Sequence, residues 1–158
     1  MPTERNPPHP TDLRLTRFAP QLNVRLEGNK RMVFCVIRKK WLVLQPEEFV
    51  RQLLLHFLIG DMRYNRNRIT VERGLTINSE AHRTDLLVFD RDMRPFLLIE
   101  CKAPQVPLST AVFRQAAKYN GPMQVPYLMI CNGQDSYIAE IDYHANDYRF
   151  LSAVPEWG

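Results

Sequence analysis

The sequence predicts an α/β domain: a mixed β-sheet flanked by helices. Three observations lead there. Two neighbouring segments, Thr84–Asp90 and Pro95–Lys102, are apolar on both faces, as strands are in the middle of a covered sheet. Apolar residues recur with a helical period at Phe49, Val50, Leu53, Leu54, Phe57 and Leu58. The order of segments is hairpin, helix, three strands, helix, then two or three strands, which builds a sheet with helices packed against it.

Taken in order, residues 1–20 are rich in Pro, Arg and Thr without a steady period. They read as a mobile arm with an ordered piece near Leu13–Phe18, followed by a single domain over 21–158. Met32–Ile37 and Trp41–Leu44 form an N-terminal β-hairpin with a basic tip at Arg38-Lys39-Lys40. Gln45-Pro46-Glu47-Glu48 opens the first helix, since proline fits a first turn and acids suit the positive end of the helix dipole. Gly60-Asp61 ends that helix, and Tyr64–Arg68 is a basic connection. Ile69–Ile77 is a strand, Asn78–Arg83 a loop, and Arg91–Arg94 the turn between the two apolar strands. Pro104 and Pro107 break the chain. Ser109 caps a helix running to about Tyr119, and Asn120-Gly121-Pro122 stops it. Val125–Cys131, Tyr137–Ile141 and Tyr148–Leu151 complete the sheet, with Asn132-Gly133 as a hairpin turn.

Composition narrows the function classes. The 158 residues suit one domain with a real core, and 45% apolar with 24% charged residues is ordinary for a globular chain. A net charge of +4 favours acidic partners such as nucleic acid. Cys35, Cys101 and Cys131 are odd in number and never form C-x-x-C, which argues against a disulfide framework or a structural zinc site and fits a reducing, cytoplasmic setting. The N-terminus lacks a basic segment followed by an apolar stretch, so no signal peptide is expected, and no apolar run reaches membrane-spanning length. There is no G-x-x-x-x-G-K-[ST] run, and no ATP use is implied.

The chemistry sits in the two apolar strands. A turn centred between Asp92 and Met93 pairs Asp90 with Pro95 and Asp85 with Glu100. Directly opposed residues share a face, with β-carbons about 4.5–5.5 Å apart. Lys102, two residues beyond Glu100, shares that face too. A one-residue change of register would undo the arrangement. Two close carboxylates repel unless a positive group lies between them, and Mg²⁺ suits them because it takes a few carboxylates and completes its shell with water and phosphate. Such a metal polarises a phosphodiester and lowers the pKa of water. Lys102 can act at the water or stabilise charge on the phosphate. A buried ion network is the alternative account of the same three residues. Charges that interrupt apolar strands are costly unless paired or metal-bound, and spacing does not separate the two.

Thr84-Asp85 followed by Glu100-Cys101-Lys102 resembles the PD-(D/E)xK nuclease motif, with threonine where the motif name has proline. The runs RKKWLVLQPEEFVRQ, IECKAP, QAAKYN and VPYLMICNG are similar to the N-terminal nuclease domain of type I restriction enzyme R subunits, and to small stand-alone bacterial proteins related to it. The resemblance covers roughly residues 30–140. It implies a restriction-endonuclease-like fold and Mg²⁺-dependent cleavage of DNA, with Mn²⁺ as a substitute. Asp85 and Glu100 would bind the metal, and Lys102 would be catalytic. It also implies a helix acid that completes the metal site. Glu47 and Glu48 both qualify, and Glu48 is preferred because it shares a helical stripe with Gln52 and Leu55. Gln115 and Tyr119 form Q-x-x-x-Y, one turn apart on one helix face, and the resemblance places this motif beside the active site; an ordinary amphipathic helix accounts for Tyr119 equally well. DNA is the implied partner, and a homodimer is one assembly such nucleases adopt. A second class stays open: a DNA-binding or assembly module that keeps the fold and does not cut.

Overall fold

The computed structural model describes residues 9–77 and 79–158, with side chains for all of these except 73, 75–77 and 80–83. Among the described residues the strands form a three-stranded and a six-stranded sheet. The small sheet is an antiparallel meander of β1 (Val24–Glu27), β2 (Lys30–Cys35) and β3 (Lys40–Val43). It contains the expected N-terminal hairpin as β2–β3 and adds β1, which the polar run around Gly28 concealed. Of the arm expected over residues 1–20, residues 1–8 lie outside the described residues. Leu15–Gln21 forms a 3-10 helix whose Leu15 and Phe18 are buried in the main core.

The large sheet runs β4 (Ile69–Ile77), β5 (Glu80–Phe89), β6 (Pro95–Cys101), β7 (Tyr127–Cys131), β8 (Ser136–Asp142) and β9 (Asp147–Leu151) in spatial as well as chain order. Only the β6–β7 pairing is parallel; the connection between those strands contains α2 (Thr110–Asn120). Ser109 caps α2 as expected, its Oγ accepting the Val112 N–H at 3.2 Å. The other helix, α1 (Pro46–His56), begins with Pro46 while Gln45 is still extended, carries Glu47 and Glu48 in its first turn, and runs on as a π-helical turn over Phe57–Asp61.

The helices cover opposite faces of the large sheet. Val50, Leu53 and Leu54 of α1 join Leu86, Val88, Leu97, Ile99, Cys101 and Met129 in one core. Phe113 and Ala116 of α2 join Leu87, Leu98, Leu128 and Ile130 in the other. The alternation along β6 is that of a strand covered on both sides: Leu97, Ile99 and Cys101 face α1, and Leu98 faces α2.

Two turns differ from expectation. Between β4 and β5 the loop expected over 78–83 is shorter, because Ile77 already pairs with Glu80; position 78 lies outside the described residues. Pairing of backbone groups holds this extension without apolar alternation, so the sequence pattern gives no sign of it. Between β5 and β6 the turn is longer than expected. The Asp90 N–H donates to the Arg94 carbonyl at 2.8 Å, Met93 takes φ 61°, and Phe89 rather than Asp90 pairs with Pro95. Carried down the strands, that one-residue shift would misplace the charged pair. A bulge between Val88 and Phe89 removes it, so that Val88 pairs with Leu97, Leu87 with Leu98 and Leu86 with Ile99. Extended by one step, this register sets Asp85 opposite Glu100.

Met93 is exposed and left-handed, a conformation that costs an L-residue about 1–2 kcal/mol and glycine almost nothing. Met93→Gly is therefore expected to stabilise the domain by roughly 0.5–1 kcal/mol in urea unfolding, after the entropy cost of glycine. Loss of stability would show that the turn is held by the methionine side chain instead.

Candidate active site

Cross-strand pairing between β5 and β6 ends at Leu86↔Ile99. Beyond it, the Asp85 carboxylate takes over a ladder position: its Oδ2 accepts the Cys101 N–H at 2.8 Å. Its Oδ1 accepts from Arg51 of α1 at 2.9 Å. Asp85 thus lies just beyond the last β5–β6 pair, turned toward the helix on one face and not toward the face it was expected to share with Glu100. Glu100 is held on the other face, where Asn120 of α2 donates to its Oε1 at 3.0 Å. The Lys102 ammonium stands 3.9 Å from Glu100 Oε2. Glu100, Lys102, Gln115 and Tyr119 line a cleft of about 280 Å³ with Val112 and Ala116. The Glu-Cys-Lys run explains itself by alternation: Cys101 enters the apolar core, and its neighbours line the cleft. Burial, then the nearby Asp85 charge, pushes the Cys101 thiol up, so it stays protonated.

The α1 side of the site is an ion cluster around Arg51, which is only 3% exposed. Its guanidinium lies 2.8 Å from Glu48, 2.9 Å from Asp85, 3.3 Å from Glu47 and 3.6 Å from Glu72. Glu48, 7% exposed, also accepts from Arg38 on both oxygens, at 2.8 and 2.7 Å, and from Gln52 at 3.1 Å. Burial pushes the Glu48 carboxyl up, but the hydrogen bond from Arg38, the charge of Arg51 and the hydrogen bond from Gln52 outweigh it and hold it below its ordinary value. Glu47 behaves oppositely. Burial and the Asp85 charge hold it above the ordinary value, against the pull of Arg51 and Lys102. Glu47 borders an open cleft of about 280 Å³ with Arg38, Glu48, Arg51 and Glu72.

Four of these residues take roles that the sequence does not announce. Arg38 was expected at a basic hairpin tip, yet its side chain turns inward onto Glu48 and Glu72, while Lys39 and Lys40 remain exposed. Arg51 carried a signal: a charge one turn from Glu48 on an otherwise apolar helix is costly unless paired. Asn120 looked like a helix stop. Glu72, within β4, has φ 51° and turns to both arginines. The side chain of His82 lies outside those described.

Residues 46–155 match the family model described as Type I restriction enzyme R protein N terminus (HSDR_N). The chain belongs to this family. The match begins at the first residue of α1 and runs past β9, so it holds both halves of the site, and the small N-terminal sheet precedes it. Among solved structures, the chain is similar to a fragment assigned to an HsdR subunit of a type I restriction enzyme from Vibrio vulnificus YJ016, at 22% identity and a TM-score of 0.49. The similarity covers 70% of this chain and 24% of that one, so this chain spans about a quarter of its length. No curated protein matches the chain.

The donor set fits a magnesium ion. Both acids of the motif offer only oxygen, and the hydrogen bonds they accept leave lone pairs on each carboxylate. Among the described residues no group of three or more His, Cys, Asp or Glu is arranged to hold a metal.

The lowered Glu48 pKa fixes a pH dependence. A carboxyl depressed by folding adds stability above its unfolded value near 4.5 and loses it as pH falls through the folded value. Glu48→Gln leaves two buried guanidiniums without their shared anion and is expected to cost about 3–5 kcal/mol at pH 7. The gap between variant and parent should narrow below pH 4.5, where the parent's Glu48 also becomes neutral. Denaturant unfolding at several pH values measures it, and a gap independent of pH would contradict this ion-pair role.

Proposed function

We propose that this domain hydrolyses DNA phosphodiesters with Mg²⁺, or Mn²⁺ in its place. What supports the reading is the Asp85, Glu100 and Lys102 pattern within the family of type I restriction enzyme R protein N termini, with Asp85 bound to the Cys101 N–H next in chain to Glu100 and Lys102 3.9 Å from Glu100. Asp85 and Glu100 would hold the ion, and the ion would polarise the phosphate and raise the acidity of water. Asp85 is fixed for this by Arg51 and the Cys101 N–H. Lys102, half-exposed beside Glu100, orients the attacking water or neutralises charge on the phosphate. Gln115 and Tyr119 border the same cleft; Tyr119, 49% exposed, offers a ring to the substrate. Glu48 assists through its grip on Arg51, and Glu47, half-exposed and held by Arg51 at 3.3 Å, is the helix acid that would approach the ion. DNA is the partner this reading requires, and pairing of two copies would let both strands be cut.

A second reading is a DNA-binding or assembly module that does not cut. One observation favours it: the guanidinium of Arg51 already gathers the carboxylates of α1 and β5 that would otherwise call for a cation.

Supercoiled, linear, single-stranded and branched DNA incubated with Mg²⁺ or Mn²⁺ separates the two. Cleavage of at least one substrate, reduced about 10²–10³-fold by Lys102→Ala, is the expected result. Salt-sensitive binding without cleavage, indifferent to Mg²⁺ and to Asp85→Ala, would establish the second reading.

A further inference from the structure

Asn120 is the last residue of α2 and is 4% exposed. Its Nδ2 donates twice, to Glu100 Oε1 at 3.0 Å and to the Ala116 carbonyl at 2.9 Å. Its Oδ1 is buried without a hydrogen-bond partner. Rotating the amide by half a turn would aim Oδ1 at a carboxylate and a carbonyl, both acceptors, so the two bonds fix which way the amide faces. The bond to Ala116 anchors the donor on its own helix and leaves it one direction in which to act. A residue present only to fill space would bury no orphan carbonyl, since an apolar side chain of that size fills the same volume without desolvating a polar atom. What the amide gains for that cost is its hold on Glu100.

Glu100 needs such a hold. A glutamate has three side-chain torsions, and the cleft around it offers Val112 and Ala116, which restrict volume without directing a carboxylate. With Oε1 tied to Asn120, Oε2 is the oxygen turned to Lys102 and the open end of the sheet.

We propose that Asn120 is the positioning residue for Glu100: its amide sets the rotation of the carboxylate that receives the divalent ion. This rests on the metal reading above. Groups that orient metal ligands typically contribute 10–100-fold to metal affinity. Asn120 acts only through Glu100, so its contribution vanishes when Glu100 can no longer bind metal.

The test is a double-mutant cycle on Mn²⁺ affinity, measured by calorimetry on the whole chain without DNA, using wild type, Asn120→Ala, Glu100→Gln and the double variant. Asn120→Ala is expected to weaken Mn²⁺ binding about 10–100-fold, and the double variant to bind no more weakly than Glu100→Gln alone. Asn120→Leu nearly keeps the side-chain size, loses both donors without adding a charge, and is expected to weaken binding as Asn120→Ala does; it serves in its place if the alanine variant fails to fold. Wild-type affinity in both Asn120 variants, or losses that add in the double variant, would overturn the proposal. Absence of Mn²⁺ binding by the wild type is a different failure: it removes the metal reading, and this proposal falls with it.

Discussion

Arg51 is the cation around which this end of the molecule is organised. Two like charges about 4 Å apart cost roughly 4 kcal/mol at an effective dielectric near 20. Glu48 is buried, Asp85 is partly buried, and Glu47 and Glu72 stand close by. Without a guanidinium among them, the N-terminus of α1 could not approach the end of β5. Arg38 adds the second positive charge from the turn between β2 and β3. The two arginines thereby tie the small sheet, the first helix and the central strand together through one buried carboxylate, Glu48. Breaking such a cluster is far costlier than its net contribution, because each deletion leaves a buried charge exposed to repulsion or desolvation.

The same cluster shapes the chemistry. Asp85 has one oxygen on Arg51 and the other on the Cys101 N–H, so its plane is fixed by both a helix and a strand. Glu100 is fixed from the opposite face by α2. The two acids are thus held on different faces of the sheet, each by its own partner, with Lys102 3.9 Å from Glu100 and Glu47 3.3 Å from Arg51. Placement by rigid elements on both faces suits a site that must meet a phosphate with little rearrangement.

Much of this was legible in the sequence, for uneven reasons. The doubly covered strands, the capped helices and the Gln115–Tyr119 face follow from local periodicity and end signals, which survive without tertiary information. The Asp85–Glu100 register follows in the sequence from a turn over Arg91–Arg94 centred between Asp92 and Met93. The protein reaches that register with a longer turn and a compensating bulge, a cancellation invisible to spacing. The inward rotation of Arg38 was hidden because a basic hairpin tip reads as solvated. Asn120 was hidden because its partner lies twenty residues away across the layers, and a residue before Gly-Pro reads as a helix stop. What the sequence withheld were the second partners of charged groups, which depend on how faces meet.

The central claim is that a divalent ion sits where Asp85 and Glu100 converge. Anomalous diffraction from crystals soaked in Mn²⁺ tests it most directly. A peak about 2.0–2.3 Å from oxygens of both Asp85 and Glu100 is expected. A peak confined to Glu47 and Glu72, or no peak with Arg51 still bridging Glu48 and Asp85, would contradict it and leave the cluster a structural ion network.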